Sequence, residues 1–466
     1  MNILLVVHQF LPRHAAGTEI YSFYLGRELA RRGHKISFFV TEFSPEKPQY
    51  TLEKKTYEGL RVWEAIHNHH FPSFESHFKD EKQEENLLKV LEEEKPDLVH
   101  LEHLHFHSIG YIDLLKARGI PIAYTLHEYM LMCPRHGQLL KPSGEVCEGP
   151  VPTECAKCVD FLPPPGAKPL PPVGSTGNAM KQKLPGGVVS MLGRVRRWFH
   201  GASEGSTQTL VSGQENAKDP WVTAIENRRE EIQKRLAEVD LFISPSAFLR
   251  NKFIENGWIA PDKIIHSDNG FDVSPFAAVR RTNSDKLRIG FVGTIAPYKG
   301  VHLILEACRG LDASKVECKI HGDLDTFPDY GAKLRAMEKP DFVSFEGRFD
   351  NSKIADVLAS IDVLVVPSLW FENSPLTIHE AFLAGIPVVT ADRGGMAELV
   401  EEGKTGMHFR FGDAADLGRC LKALVEDESL LPSLCTSFPH IKSIEEDTDL
   451  MEERYKALLA GKRPQA

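Results

Sequence analysis

Short apolar runs alternate with helical segments along most of this chain. Runs rich in valine, isoleucine and leucine recur from residue 2 to about 160, and again from 239 to the end. Such runs are typical of strands buried on both faces of a parallel sheet, whose connections are usually helices. The alternation predicts an α/β fold with two Rossmann-like domains and parallel sheets. The predicted strands are 2–7, 35–41, 97–101, 121–126, 241–244, 287–292, 316–320, 362–366 and 387–390.

Length and composition support a two-domain protein. A chain of 466 residues is too long for one core and suits two domains of about 200 residues each. No run of 18 apolar residues occurs, so we expect no membrane-spanning helix. The start, MNILLVVHQF, lacks the basic region and cleavage site of a signal peptide, so we expect a cytoplasmic protein. The net charge of −10 argues against general nucleic-acid binding.

The domain boundary is predicted where the apolar periodicity lapses, near 274–284. We expect an N-terminal domain over 1–278, a C-terminal domain over 279–445 and a final helix over 446–466. One region, 133–228, breaks the alternation with four cysteines, a proline-rich stretch and a basic amphipathic stretch. We interpret it as an insertion in the N-terminal domain.

The segment WFENSPLTIHEA, at 370–381, follows a predicted strand and contains a helix start. Ser374 is expected to cap the helix, and Pro375 to take its first position, where a missing N–H costs nothing. The amides of Leu376 and Thr377 would then point out of the positive helix end. The segment therefore predicts a binding site for an anion such as a diphosphate.

Two carboxylates bracket this helix start. Glu380 lies in the helix, roughly 8 Å along its axis, where it could accept two hydrogen bonds from a ribose diol. Glu372 stays in the loop, nearer the sugar end of a bound nucleotide sugar. An acidic loop followed by an ordinary amphipathic helix would show the same spacing, so the pair alone leaves both interpretations open.

Several further segments resemble the retaining GT-B glycosyltransferases with an E-x(7)-E signature, of the family 4 or group 1 type. They are LLVVHQFLPRHAAGTE at 4–19, TLHEYMLMCP at 125–134, NGFD at 269–272, FVGTIAPYKG at 291–300, VPSLWFENSPLTIHEAFLAGIPVV at 366–389 and GGMAELVEEGKTG at 394–406. The resemblance implies the GT-B fold, in which two Rossmann-like domains with parallel sheets face each other across a cleft. It also implies that the last helix crosses back to the first domain.

The activity implied by this resemblance is retaining transfer of a hexosyl group without a catalytic metal. The donor would be a nucleotide diphosphate sugar, a UDP- or GDP-sugar before others. The acceptor would be a glycan or a lipid-linked molecule in the synthesis of cell-surface polysaccharide or glycoconjugate. Glu372 and His127 would be the catalytic residues, with Glu372 stabilising positive charge at the anomeric carbon and Glu380 anchoring the ribose.

The donor site would draw on the loop after strand 287–292. Gly293 lets a phosphate approach the backbone, and Lys299 in the G-x(5)-K-G loop adds a positive charge. Thr294 stands where the family usually has an arginine, and a hydroxyl carries no charge. Arg348 in FEGRFD is a candidate to replace that charge, although a solvated surface arginine is the simpler interpretation.

The N-terminal half contributes candidates after two predicted strands. Gly17 in AAGTE is expected in the loop after the first strand, where it would let the chain approach the donor phosphates or the acceptor. The resemblance implies that His127 points toward the donor sugar, whereas the residue alone would favour a histidine satisfied within the fold. Four other histidines lie close together in the sequence but have no coherent metal-ligand spacing. We expect them to support the fold and to line the cleft. They are His100, His103, His105 and His107.

Four cysteines, Cys133, Cys147, Cys155 and Cys158, follow the spacing C-x(13)-C-x(7)-C-x(2)-C. In a chain expected to be cytoplasmic, this clustering favours metal binding over disulfides. A structural zinc site is the first interpretation, an iron–sulfur cluster the second and free thiols the third.

The stretch 181–200 combines apolar residues at helical spacing with five basic residues and no acidic one. It predicts a helix on the anionic inner face of a membrane, or equally a helix packed on the protein itself.

Two other functions remain compatible with the sequence. A nucleotide-sugar epimerase can share the GT-B architecture, and it would form an epimer of the donor without any acceptor. The second is a membrane-associated metal-binding scaffold with a weak transferase site. The replacement of the family's usual arginine by Thr294 lends it some support. The residues Glu372, Glu380 and Lys299 favour transfer over both.

Overall fold

The computed structural model describes residues 1–159, 161–166, 219–277, 279, 281–282 and 284–462. The chain forms two compact units. The N-terminal unit contains Met1–Pro245, Arg250–Ser267 and Glu445–Ala466, and the C-terminal unit contains Ser246–Leu249 and Asp268–Ile444. The predicted stretch 181–200 lies outside the described residues. Among the described helices, none is both long and apolar enough to span a membrane.

The N-terminal unit is built on a sheet of eight strands in the order β3-β4-β2-β1-β5-β6-β7-β8. Every neighbouring pair is parallel except β3 with β4. Its strands are β1 (Asn2–Val7), β2 (Lys35–Glu42), β3 (Leu52–Tyr57), β4 (Leu60–Ile66), β5 (Leu98–Leu101), β6 (Ile122–Thr125), β7 (Leu241–Ser244) and β8 (Ile264–His266). The strand order reverses beside β1, which places a switch point between β1 and β5.

Helices cover this sheet, and the end of the chain supplies one of them. They are α1 (Gly17–Arg31), α2 (Glu81–Glu94), α3 (Tyr111–Lys116), α4 (Pro152–Cys155), α5 (Pro220–Leu236), α6 (Ala247–Glu255) and, last in the chain, α14 (Ile444–Leu459). The Asp80 carboxylate accepts the amides of Lys82 and Gln83 and so caps α2. On α14, the Asp447 carboxylate accepts the Tyr21 hydroxyl at 2.9 Å, which fixes that helix against α1.

The C-terminal unit has a parallel sheet of six strands in the order β11-β10-β9-β12-β13-β14. Its strands are β9 (Leu287–Val292), β10 (Val316–His321), β11 (Val343–Gly347), β12 (Val363–Val366), β13 (Val388–Ala391) and β14 (Gly406–Phe409). This is the strand order of a dinucleotide-binding sheet, with its switch point between β9 and β12. Ligands of such sheets bind beyond the carboxyl ends of the strands at that point.

Seven helices of the described chain belong wholly to the C-terminal unit: α7 (Val301–Cys308), α8 (Pro328–Ala336), α9 (Ile354–Ala359), α10 (Leu376–Leu383), α11 (Gly394–Leu399), α12 (Ala414–Glu426) and α13 (Leu430–Ser433). At the amino edge of the sheet, Arg288 donates to both oxygens of the Asp362 carboxylate, at 2.9 and 2.8 Å. The Asp362 carboxylate also accepts the Arg288 amide at 2.9 Å. This bidentate pair ties the start of β12 to β9.

The predicted α/β fold with two mostly parallel sheets is confirmed. The central strands agree with their predicted positions to within one or two residues, because both faces of each are buried. Five observed strands, β3, β4, β8, β11 and β14, were not predicted. The sequence LEKKTY of β3 shows why, since this edge strand is charged and half-exposed and lacks an apolar run.

Candidate active site

The loops after β9 and β12 meet at the switch point of the C-terminal sheet. Gly293 follows β9 directly with φ +151°, a value that favours glycine. Gly300, also left-handed at φ +69°, ends the turn that carries Lys299. A Cβ atom at Gly300 would collide with the carbonyl oxygen of Pro367 in the loop after β12. Glycine is therefore required for the close approach of the two loops.

Lys299 and Glu372 form an ion pair between these two loops. The Lys299 Nζ atom lies 2.6 Å from Glu372 Oε1, which also accepts the Ser368 hydroxyl at 2.6 Å. The Glu372 residue is 5% exposed, and the Lys299 ammonium lies 5.5 Å from the ring centre of Trp370. The structure therefore brings together a predicted catalytic carboxylate and the predicted phosphate-binding cation.

The backbone around Glu372 is held by its neighbours. The Glu372 carbonyl accepts the Gly395 amide at 2.8 Å. A Cβ atom at Gly395 would overlap the carbonyl oxygen of Asn373, so the start of α11 packs directly on this loop. The Asn373 side chain accepts the Ser246 hydroxyl at 2.6 Å. The loop position is thus fixed from two sides.

The helix start differs from the prediction in its cap. Pro375 is the N-cap residue and α10 begins at Leu376, without a side-chain cap. The Ser374 hydroxyl donates instead to Asp268 Oδ1 at 2.8 Å, so the predicted Ser374 cap and the first helical position of Pro375 are both wrong. The hydrogen bond to the Asp268 carboxylate sets the orientation of the Ser374 side chain. Leu376 and Thr377 nevertheless form the first turn of the helix.

Asp268 also contacts the first turn of α10 through His379, in addition to its hydrogen bond with Ser374. Its Oδ2 atom lies 2.7 Å from His379 Nε2, and His379 stacks on Phe271 at 4.6 Å between ring centres. Burial raises the pKa of Asp268, but His379 and the Ser374 hydroxyl outweigh burial and hold that pKa below its usual value. Asp268 therefore stays charged and anchors α10.

Glu380 lies in the second turn of α10. Burial raises the pKa of its carboxyl to about 7, and the neighbouring His379 acts in the opposite direction. The carboxyl is poorly hydrated, so hydroxyl donors of a ligand would supply hydrogen bonds that water does not.

Thr294 stands where the family usually has an arginine, and Arg348 is the candidate to replace its charge. Both residues are exposed. The Arg348 side chain is 82% exposed, and its Nε atom lies 3.9 Å from Asp323 Oδ2. Its environment is that of a solvated arginine beside one acidic residue.

At the switch point of the N-terminal sheet, Gly17 is the first residue of α1 and does not lie in the loop as predicted. Two residues later, Glu19 is 1% exposed, and its Oε1 atom lies 3.3 Å from His8 Nε2. Burial lowers the pKa of His8 to about 3, so its imidazole is neutral at physiological pH. His8, directly after β1, and Glu19, in the first turn of α1, are thus two candidate site residues that the sequence motifs did not indicate.

His127 follows β6 and is buried as well. Its Nε2 atom shares a hydrogen bond of 2.9 Å with Glu102 Oε2, and the Tyr21 ring centre lies 5.6 Å from its own. Burial lowers the pKa of His127 to about 4, although the charge of Glu19 acts in the opposite direction. His127 can therefore offer a ligand hydrogen bonds but no positive charge near neutral pH.

The other predicted histidines have partners within the same unit. His100 contacts the Tyr455 and Thr125 hydroxyls at 2.7 and 2.8 Å, and His107 contacts the Val7 carbonyl at 2.9 Å. His103 Nε2 lies 3.4 Å from a carboxylate oxygen of Glu128. His105 stacks on its neighbour Phe106, with 3.9 Å between ring centres.

The four cysteines line one cavity of about 20 Å³, between the loop after β6 and α4. All four are free thiols, and burial raises the pKa of Cys133 to about 11 and of Cys155 to about 12. Within the described ranges, no group of three or more His, Cys, Asp or Glu side chains is arranged to hold a metal ion. The four cysteines lie together around one cavity. Their side chains are not arranged as metal ligands, so the predicted zinc site and iron–sulfur cluster are not shown.

Some residues of these sites could have been found from the sequence. Glu102 directly follows a predicted strand, as His127 does, and the same reasoning would have selected it. Asp268 gave no such signal, because its partner His379 lies 111 residues away in the chain.

Two family profiles match the chain. "Glycosyltransferase Family 4" matches residues 15–145, and "Glycosyl transferases group 1" matches residues 275–436. A glycogen synthase of Mycobacterium tuberculosis is 27% identical over 246 residues, or 51% of this chain and 55% of the relative. The amylovoran biosynthesis glycosyltransferase AmsK of Erwinia amylovora is 27% identical over 213 residues, or 44% of this chain and 52% of the relative. The matched part is thus about half the length of these curated relatives.

Solved structures share the fold at low sequence identity. Anabaena HepE, in complex with UDP and glucose, has a TM-score of 0.59 and 16% identity, with 98% of this chain and 100% of that chain covered. The catalytic domain of starch synthase IV from Arabidopsis thaliana, bound to ADP and acarbose, has a TM-score of 0.58 and 14% identity, with 98% and 99% covered. These likenesses identify the fold as GT-B. The two profile matches identify the chain as a glycosyltransferase of the group 1 and family 4 type.

Proposed function

We propose that this protein is a retaining glycosyltransferase that moves a sugar from a nucleotide diphosphate sugar to a glycan or lipid-linked acceptor. The observation that carries the proposal is the pair of Lys299 and Glu372, 2.6 Å apart at the switch point of the C-terminal sheet. A cation and a carboxylate at this point of the fold are suited to a diphosphate and to the sugar beyond it.

Donor binding would rearrange this ion pair. Without the donor, the Lys299 ammonium is neutralised by Glu372. A diphosphate carries more negative charge than one carboxylate, so it would attract Lys299 and leave a Glu372 oxygen free for sugar hydroxyls. The first amides of α10, at Leu376 and Thr377, would bind the phosphate oxygens, and Gly293 would let the phosphates approach the backbone. Glu380 would bind the ribose.

The chemical step would need little more than positioning and charge stabilisation. In a retaining transfer through an oxocarbenium-like transition state, the acceptor attacks on the face from which the nucleotide departs. Lys299 and the α10 amides would stabilise the departing diphosphate, and Glu372 the positive charge at the anomeric carbon. His127, being neutral, would position the sugar by hydrogen bonds. None of these roles requires a divalent metal.

The relatives guide the choice of substrates. Two of the relatives are named for glycogen synthesis and amylovoran biosynthesis, which favours a polysaccharide or glycoconjugate product here. UDP and ADP are bound in two structural neighbours, so we would test UDP-, GDP- and ADP-sugars.

A donor screen tests the proposal. We expect one class of nucleotide sugar to raise the melting temperature of the protein. We also expect the protein to hydrolyse this donor slowly when no acceptor is present, which releases the nucleotide. Lys299→Ala and Glu380→Ala should weaken this binding, whereas the exposed Lys404→Ala should leave it unchanged. Activity should persist in EDTA. No stabilisation by any of the three donor classes would contradict the proposal, and so would an epimer formed without acceptor.

We also propose that the four-cysteine cavity holds a structural zinc ion. Its volume of about 20 Å³ suits one small ion, and four thiolates would close the coordination sphere. The thiols would move inward on binding, since no ligand group within the described part of the chain is already arranged for a metal.

Metal analysis of protein purified without chelators tests this second proposal. We expect about one zinc per chain, lost in Cys155→Ser and retained in Cys435→Ser, which alters a cysteine outside the cavity. Protein without bound metal would refute the site, and a visible absorbance band with bound iron would assign it to a cluster instead.

A further inference from the structure

Two neighbouring strands bring Glu102 and His127 together. Strands β5 and β6 are parallel and pair Leu101 with Tyr124, so the residues that follow them emerge side by side. Glu102 Oε2 lies 2.9 Å from His127 Nε2, and the Glu102 amide donates to the Val6 carbonyl at 2.9 Å. The Glu102 side chain is 0% exposed, so its position is set by the sheet and not by solvent.

A second layer of side chains lies behind Glu102. Its other oxygen, Oε1, is 3.3 Å from His100 Nδ1 but makes no hydrogen bond of its own. His100 Nδ1 contacts the Tyr455 hydroxyl at 2.7 Å, and His100 Nε2 contacts the Thr125 hydroxyl at 2.8 Å. Tyr455 lies on α14 and is completely buried. A continuous row of side chains thus connects His127 with the last helix of the chain.

We propose that Glu102 is a positioning residue for His127, and that Tyr455 secures His100 beneath it. The inference rests on the function proposed above, in which His127 orients the donor sugar. A carboxylate that accepts a hydrogen bond from Nε2 fixes both the ring orientation and the place of the proton. The imidazole is then held in one orientation and one tautomer.

The burial of Glu102 argues against a purely structural role. His127 is neutral near pH 7, so the two side chains do not form the ion pair that would offset the cost of burying a carboxylate. The unbonded Oε1 oxygen adds a further cost. An apolar residue would stabilise the sheet better at this position, which indicates that the carboxylate serves the site.

The arrangement has a consequence for pH dependence. Burial raises the pKa of Glu102 to about 7, with His100 lowering it and Asp447 raising it. Other polar groups around the pair include His8 and His103, Glu19 and Tyr21 of α1, and Arg454 and Tyr455 of α14. Protonated Glu102 would donate its own hydrogen to Nε2 instead of accepting a hydrogen bond from it, so we expect the reaction rate to rise as the pH increases through about 7.

An NMR measurement on the full chain tests the pairing without any substrate. In ¹⁵N-histidine-labelled protein, the His127 signals are assigned by their loss in His127→Asn. We expect the wild-type ring to be neutral with its proton on Nε2 at pH 8, and the proton to redistribute in Glu102→Leu. The control Glu94→Gln alters a buried carboxylate that pairs with Arg61 and should leave these signals unchanged. Identical His127 signals in Glu102→Leu and wild type would overturn the inference.

Kinetics distinguish this inference from the proposed function. With nucleotide release from UDP-glucose, ADP-glucose or GDP-mannose as the probe, Glu102→Leu should lower kcat about tenfold or more and change KM little. Glu102→Gln keeps the shape and a hydrogen bond, so it should restore most of kcat while removing the rise near pH 7. Full activity in His127→Asn would contradict the role of His127, whereas full activity in Glu102→Leu beside an inactive His127→Asn would contradict only the positioning role.

Discussion

The two switch points of this protein differ in the chemistry that they offer. In the N-terminal unit, the carboxyl ends of the strands carry His8, Glu102 and His127, whose side chains are 15%, 0% and 6% exposed. In the C-terminal unit, they carry glycines, Lys299 with Glu372, and the start of α10. The first region suppresses charge, since burial lowers the pKa of its histidines and raises that of Glu102. The second holds the ion pair of Lys299 with Glu372 beside the first amides of α10. In the proposed function, the first region would serve hydroxyl recognition and the second anion binding.

The largest effect should follow from removing Glu372. We expect Glu372→Ala to lower the transfer rate by about 10³-fold, because it removes the charge that stabilises the transition state. Steady-state kinetics with the selected donor would measure it. The exposed Glu401→Ala in the same unit is the control and should retain wild-type rates. Nearly full activity in Glu372→Ala would end the assignment of catalysis to the C-terminal switch point.

The next effect concerns the charged pair at the opposite edge of the C-terminal sheet. Asp362→Ala leaves Arg288 buried without its partner and should cost about 3 kcal/mol in the free energy of unfolding. The bonds from Arg288 and Arg281 outweigh burial and hold the pKa of Asp362 below its usual value of 3.8. The stabilisation is therefore present above pH 3.8 and disappears as the pH falls through the lower folded-state pKa.

Urea denaturation at pH 7 and at lower pH would measure this loss. The exposed Asp356→Ala should change the unfolding free energy by less than about 0.5 kcal/mol. Equal effects of the two substitutions would show that the C-terminal sheet does not depend on its buried charges.

A smaller effect should come from the backbone contact beneath Glu372. Gly395→Ala would force its Cβ atom against the Asn373 carbonyl and push the Glu372 loop away from Lys299. We expect a loss of about tenfold in kcat/KM and of about 2 kcal/mol in stability. Gly310→Ala is the matched control, because its Cβ atom would enter open space. If both variants behaved alike, the loop would be more adaptable than the close packing suggests.

The smallest effect should be seen in the N-terminal network. Tyr455→Phe removes one hydroxyl next to His100 and should cost about 1 kcal/mol of stability and a few-fold in kcat. Tyr50→Phe removes the bond to Asp80 and should cost similar stability without any loss of kcat. This difference in kcat would separate the network around His127 from the rest of the unit, and its absence would leave Tyr455 a structural residue only.

The sequence predicts the buried parts of this fold better than its edges. Central strands such as β9 and β12 are mostly apolar, while β3 has three consecutive charged residues at its centre and resembles a loop. Local motifs likewise located Lys299 and Glu372, each in a loop after a strand. Their direct contact, across 73 residues of sequence, depends on the strand order, which no local pattern specifies.

The Ser374 cap illustrates the limit of such local rules. A serine just before a helix is a good cap when its side chain is free to turn toward the helix amides. The hydrogen bond to Asp268, 106 residues earlier in the chain, sets the orientation of the Ser374 side chain instead. For the cysteines, the spacing correctly indicated that the four side chains would lie together, but not whether an ion lies between them.

The return of α14 to the N-terminal unit has a consequence for biosynthesis. Asp447 and Tyr455 follow the whole C-terminal unit in the sequence, so they leave the ribosome after it, yet they complete the packing of α1 and β5. The C-terminal unit, by contrast, is nearly continuous from Asp268 to Ile444. We therefore expect the N-terminal unit, although it is translated first, to finish folding after the C-terminal unit. The side chains behind His127 would then be the last to reach their final positions.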